Sequence, residues 1–408
     1  MWKTVLRSIS AVKWPGSKGS ASVVLAIALA LNVSVAQLAL AQSLVVLHSF
    51  GGGTDGLFPS SGVIRDAQGN LYGTTLYGGV YNLGTVFKIS GRGKETVLHS
   101  FAANSDGAVP NWGLVRDSTG NLYGTTVAGG NLTCNNGMGC GTVFKLDTTN
   151  KESVLHSFAG SPDGNFPSGV IRDSLGNLYG TTQGGGATTN DIGTVYKLDV
   201  TGKETVLYSF TGGSIGAADG AAPFGPPVRD LQGNLYGTTV QGGPNNFGTV
   251  YKVNAAGSEV ILYSFAGGVD GGYPNGGLIR DSAGNLYGTT TDGGASTTGT
   301  VFKVSQTSAK SILYSFGWNP DAQVPMSGLI QDSAGNLYGT TELGGEYGWG
   351  TVYRLDAAGN ETVLYSFTGG VDGQYALGVL ARDAAGNLYG TTQRGGTYGF
   401  GTVFKLKP

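Results

Sequence analysis

One hexapeptide, Asn-Leu-Tyr-Gly-Thr-Thr, occurs seven times in this 408-residue chain, starting at Asn70, Asn121, Asn177, Asn234, Asn285, Asn336 and Asn387. The spacings are 51, 56, 57, 51, 51 and 51 residues. Two other motifs keep the same beat. Ser-Phe ends at Phe50, Phe101, Phe158, Phe210, Phe265, Phe316 and Phe367, and Gly-Thr-Val-Phe/Tyr begins at Gly84, Gly141, Gly193, Gly248, Gly299, Gly350 and Gly401. A fixed period in this range marks a solenoid, a propeller or an array. One β-solenoid coil is shorter, and no segment carries a helical period, which leaves the propeller.

Each repeat holds four strand candidates, named A to D here. In the fifth copy they are Gly277–Asp281, Asn285–Thr290, Gly299–Val304 and Ser311–Phe316, all short, β-branched or aromatic, and bounded by Gly, Asn and Asp. Asp-x-x-Gly-Asn joins A to B in every copy, the chemistry of a tight hairpin with Gly in the left-handed conformation. The phase of the chain predicts closure. A lone D-type strand, Leu44–Phe50, opens the repeats, and a C-type strand, Gly401–Leu406, ends them. Pairing the two completes a seventh four-stranded blade and removes the edges that would template aggregation. The expected fold is all-β: a seven-bladed β-propeller forming one domain over residues 42–408. Of the 408 residues, 74 are Gly, more than twice the usual share of about 7%, as many short strands on tight turns require. A hydrophobic fraction of 40% is too high for disorder.

Residues 1–41 read as a signal peptide. Lys3, Arg7, Lys13 and Lys18 precede an apolar run over Ala21–Leu31, and Ala39-Leu40-Ala41 supplies small residues for cleavage, with a second possible cut after Ala36. The alternative is an uncleaved anchor, but Asn32, Ser34 and Gln37 interrupt a span that needs about 20 apolar residues. The expected product is exported, periplasmic or extracellular, monomeric and without a membrane span. Cleavage moves the net charge from −2 to −6, and the remaining bases form no stripe for nucleic acid. Cys134 and Cys140, the only cysteines, sit in one loop insertion and are expected to form a disulfide, since a metal site would want two more soft ligands. No metal and no cofactor is expected.

The pattern Ser-Phe…Asp-Gly…Pro…Gly-x-x-Arg-Asp-x-x-Gly-Asn-Leu-Tyr-Gly-Thr-Thr…Gly-Gly…Gly-Thr-Val-Phe-Lys resembles the GloVer tandem repeat of exported bacterial proteins, the "choice-of-anchor" group, over essentially all of residues 44–406. The resemblance implies a β-propeller outside the cytoplasm. Such proteins often carry a C-terminal sorting anchor, from which this sequence departs by ending after the last strand. The resemblance brings no assigned activity.

No catalytic constellation is visible. His48, His99 and His156 share one D-strand position with Tyr208, Tyr263, Tyr314 and Tyr365, which makes them packing residues with a polar tip rather than bases or ligands. The Arg-Asp pair ending strand A (Arg65-Asp66 and its copies, with Gln331-Asp332 the exception) could ring a channel and attract an anion. Repetition favours an Asp that caps the following turn and an Arg that bridges blades. The Asp-Gly before each A strand reads as a turn, because calcium wants six to eight oxygens and no Asp-x-Asp-x-Asp spacing exists.

Residues the repeat does not dictate are the better guide to a ligand. They cluster in the B–C and D–A loops, which share one face and carry insertions at 127–140, 183–192 and 211–225. Asp292, Glu342, Glu346, Tyr347, Trp349, Arg394, Tyr398 and Phe400 are the candidate ligand-binding residues, aromatic rings beside carboxylates that suit a sugar or peptide. Trp349 and Phe400 also share a slot with Leu83, Ile192 and Phe247, where packing under Gly-rich loops would explain them. The expected function is a non-enzymatic binding or scaffold propeller whose ligand is a glycan or protein. The alternatives are a polysaccharide hydrolase or lyase using Glu342 and Glu346, and a purely structural envelope protein.

Overall fold

The structure, a computed structural model, describes residues 43–102, 105–187, 192–212 and 219–408. The leader expected over 1–41 lies outside them, as do parts of the insertions at 183–192 and 211–225. Seven antiparallel sheets follow one another, each with strands in the order A-B-C-D. In blade 1 these are Ile64–Arg65, Leu71–Thr75, Thr85–Ile89 and Glu95–Ser100. Strand A is shorter than its sequence suggested. Only two residues pair in most blades, because the Gly-rich residues before them turn away to line the central channel.

Closure is as the strand inventory predicted. Ser43–Ser49 runs antiparallel to Thr402–Lys407 with Leu44 opposite Leu406 and Ser49 opposite Thr402, and so serves as strand D of blade 7. A one-residue slip at Leu47 recurs at Leu98 in blade 1, and both bulged leucines pack against the cluster of the following blade.

The hexapeptide is legible atom by atom. In blade 1, Asn70 donates its backbone N–H and its side-chain amide to the Asp66 carboxylate at 2.8 and 2.7 Å, and the Tyr72 hydroxyl donates to the same group at 3.0 Å. These bonds hold Asp66 ionised, below the usual carboxylate range, even though burial opposes it. Leu71 enters the core. Gly73 is obligatory because a Cβ there would lie 2.6 Å from Cζ of Phe87 on strand C. Thr75 pairs its hydroxyl with Thr85 at 2.8 Å.

Thr74 reaches across to the next blade, donating to the Trp112 carbonyl at 3.3 Å. Five counterparts donate in the same way around the ring, ending with Thr391 to the Ser61 carbonyl at 2.7 Å, and Thr125 bridges in the opposite sense, accepting the Gly169 N–H at 3.1 Å. A second inter-blade ring lies on the hairpin side. Arg65, Arg116, Arg172, Arg229, Arg280 and Arg382 each lie over the strand-B Tyr of the preceding blade, 5.1–5.8 Å from its centroid. The expected bridging role of the arginines is met by cation–π contact.

The D-strand histidines and tyrosines also have one structural task. His48 bonds Asp55 at 3.1 Å, and Tyr263 donates to Asp270 at 2.7 Å. The same Asp accepts a backbone N–H four residues back, from Gly51 and Ala266 respectively, so the Asp-Gly pair pins the D–A loop. Cys134 and Cys140 form a disulfide, and among the described residues no helix is long and apolar enough to cross a membrane.

Candidate functional site

Two features of the D–A/B–C face depart from seven-fold symmetry. The first is the central channel, a cavity of about 910 Å³ with largely apolar walls. One position per repeat, after the Pro of the D–A loop or its replacement Ala376, sets its rim. Ser60, Asn111 and Asn275 are polar there, while Phe224, Met326 and Leu377 are not. Blade 3 is one residue shorter at this point, and Trp112 of blade 2 covers the gap. Its ring lies 4.8 Å from that of Phe224, and a Cβ on Gly169 would be 3.3 Å from its own Cβ. Trp112 is therefore a structural filler.

The second feature is a band of aromatic rings. Every aromatic residue more than about a third exposed among the described residues lies in three adjacent blades: Trp318, Tyr347 and Trp349 in blade 6, Tyr398 in blade 7, Tyr77 and Tyr81 in blade 1. Trp318 is 69% exposed, Tyr398 62% and Tyr347 52%. Soluble proteins rarely leave such side chains clustered in water without a ligand or partner for them.

The eight residues singled out from sequence divide. Tyr347, Trp349, Tyr398 and Arg394 belong to this band, with Arg394 lying over the Phe58 ring at 5.3 Å. Phe400 packs beneath the Gly-rich loop, its ring 3.1 Å from a Cβ placed on Gly52 and 6.0 Å from the Phe58 centroid. Trp349 also fills this slot, 2.6 Å from a Cβ on Gly369 and 5.7 Å from Tyr375, yet stays 38% exposed. Each slot residue offers its carbonyl to the next blade: Phe58 donates to Phe400 at 2.9 Å and Tyr375 to Trp349 at 3.0 Å. Those donors, and their five counterparts, sit at φ between +51° and +60°, a conformation that costs non-Gly residues about 1–2 kcal/mol. The inter-blade bond offsets it.

Asp292 stands apart in blade 5, bonded to the Gly293 N–H at 2.6 Å and paired with Gly272. Glu342 is half-buried, and desolvation pushes its carboxyl up. Glu346 is exposed, and its backbone N–H goes to Ser366 at 3.2 Å.

Sequence reasoning missed Trp318, Tyr77 and Tyr81. Trp318 replaces a glycine that Gly52, Gly267 and Gly369 supply elsewhere to cover a bulky slot residue. In blade 5 the slot holds Thr298, so a large residue above it is tolerated. Comparing that column would have exposed the exception.

The repeat matches a known family over residues 34–138, 132–334 and 306–408, described as the Gloeobacter/Verrucomicrobia repeat. The chain belongs to this family. No curated protein matches it. Among solved structures, the extracellular domain of a candidate one component system from B. thetaiotaomicron is 14% identical, with a TM-score of 0.55 over 90% of this chain and 42% of that one. PorZ, a bacterial surface component of the type-IX secretion system of Porphyromonas gingivalis, is 16% identical, with a TM-score of 0.52 over 88% of this chain and 47% of that one. The Gloeobacter/Verrucomicrobia repeat chain thus spans less than half the length of either structure, and at these identities the likeness is one of fold.

Proposed function

We propose that this protein is an exported, non-enzymatic propeller that binds a glycan across the aromatic band of blades 6, 7 and 1. The carrying observation is that, among the described residues, the six exposed aromatic side chains all fall in three neighbouring blades. Sugar rings present apolar C–H faces that stack on Trp and Tyr, with polar neighbours such as Glu346, Arg394 and Asn319 to fix orientation. A basic patch for nucleic acid is lacking in the sequence, whose formal net charge is −2. The disulfide suits an oxidising compartment.

The test is retention on a panel of polysaccharides, by affinity electrophoresis and calorimetry. Trp318→Ala combined with Tyr347→Ala is expected to weaken binding at least about tenfold, roughly 1.4 kcal/mol. The melting temperature should move little, because both rings are mostly in water. Trp349→Ala weakens binding too but also costs stability, through its contacts with Gly369 and Tyr375. Release of reducing ends that disappears in Glu342→Gln would establish the hydrolase reading instead. A flat response to every glycan would leave a protein ligand or a structural role.

A further inference from the structure

One inter-blade junction lacks the guanidinium that the other six possess. Where blades 5 and 6 meet, the strand-A arginine is replaced by Gln331, and Tyr287 has only Lys303 over its ring. The Gln331 side chain hydrogen-bonds the Tyr287 hydroxyl and supplies no cation to the ring. In the other six blades the arginine Nη2 lies 2.8–3.3 Å from a Cβ built on its own hairpin glycine, for example Gly69 and Gly386. At Gly335 that neighbour is missing, and the nearest atom is Cβ of Ala357 at 3.8 Å. A cleft of about 480 Å³ opens at this junction, lined by Tyr287, Gln331 and the carboxylates of Asp281, Asp332 and Asp356.

We propose that this cleft is a binding site for a guanidinium group, the arginine side chain of a partner segment, which lies on Tyr287 as the protein's own arginines lie on the other tyrosines. The protein thus contains six worked examples of the contact, each within 5.1–5.8 Å of a ring centroid. Three carboxylates against the single Lys303 give the cleft a negative balance. All three stay ionised, because backbone and side-chain donors of their own turns hold their pKa values down. A planar, weakly hydrated guanidinium can stack on the ring while donating sideways, which an ammonium cannot do. The site lies on the hairpin side, away from the aromatic band, so its occupancy is independent of the glycan reading.

The experiment is calorimetric titration of the full chain with Nα-acetylarginine methylamide, the corresponding lysine compound and ethylguanidinium. The expected result is saturable one-site binding of the arginine compound, about tenfold tighter than the lysine compound. Binding should vanish in Gln331→Arg, where the chain fills the cleft itself. That variant restores the repeat residue, so it folds, and its melting temperature should rise and no longer respond to the ligand. Equal binding of ethylguanidinium would assign the site to the free group as well as to a peptide side chain. Absence of saturable binding to the natural chain, or undiminished binding to Gln331→Arg, overturns the proposal.

Discussion

A chain without residues 43–50 is expected to be recovered unfolded or aggregated, and a synthetic peptide of that sequence should restore a monomeric fold when added during refolding. Phe50 is completely buried in a cluster built from both partners of the last junction: Val63, Leu71, Phe87 and Ile89 of blade 1 with Tyr389 and Val403 of blade 7. Its N–H also donates to the Gly401 carbonyl at 3.0 Å. Truncating Phe50 to Ala should by itself cost about 3–5 kcal/mol. Removing the whole strand also bares the Thr402–Lys407 edge and leaves Asp55 without His48. Against a typical total stability of about 5–15 kcal/mol, that loss is decisive. Far-UV circular dichroism and size-exclusion chromatography would follow it, with a scrambled peptide as control. A folded, soluble monomer without residues 43–50 would mean that the ring does not depend on its closing strand.

Closure was legible in the sequence because strands can be counted: one D-type strand in excess at the start answers one missing at the end. The Asp-x-x-Gly-Asn hairpin was legible for a local reason, since Gly69 and its six counterparts all take positive φ. Contacts between repeats were harder to read. That Arg116 would lie over Tyr72 requires knowing which face of one blade meets the next. The band of exposed aromatic rings was half legible. Tyr347 and Tyr398 stood out as residues the repeat does not dictate, whereas Phe400 looked equally exceptional and proved to be packing. Burial beneath a glycine loop leaves no mark on the slot residue itself; the mark is on the glycine. One column was overlooked altogether: Glu95, Glu152, Glu204, Glu259 and Glu361 begin strand D in five blades, where blade 5 has Lys310 and blade 7 Leu44. Read alone, it resembles the solvated edge of a sheet.

That column underlies the second expected result: the melting temperature is highest near pH 5 and falls as the pH rises through 7. Each of the five glutamates lies against the Asp that pins the preceding D–A loop: Asp55, Asp106, Asp163, Asp219 and Asp321 in turn. Lys310 shows what the position favours, since its ammonium sits 2.7 Å from Asp270. Where Glu replaces Lys, burial foremost and then the facing Asp push its carboxyl up to about 7. His48, His99 and His156 partly oppose this in three blades. Buried Tyr196, Tyr251 and Tyr353 are the other titratable groups facing Glu204, Glu259 and Glu361. Each Glu has one oxygen that is buried and without a hydrogen-bond donor. Protonation lets the glutamic acid donate to its neighbour, and Asp106 is within that reach of Glu152.

The sign follows from linkage. The folded state holds these protons up to about pH 7 and the unfolded chain only to about 4.5, so their stabilisation is complete below 4.5 and lost as the pH rises to 7. The hairpin aspartates act oppositely: hydrogen bonds depress their pKa values, and their contribution fades in acid. Because the glutamates are only half-buried, solvent screening reduces each to about 1 kcal/mol, or about 5 kcal/mol for five, near 5 °C in melting temperature. Calorimetry between pH 5 and 8 measures the slope. Replacing all five by Gln should flatten it, and Glu361→Lys alone should raise stability at pH 8 far more than at pH 5 by recreating the Lys310 pair against Asp321. An unchanged slope in the five-fold Gln variant would place the pH response elsewhere, whereas restoration of the lost stability by calcium at pH 8 would show that a cation, rather than a proton, bridges the paired acids.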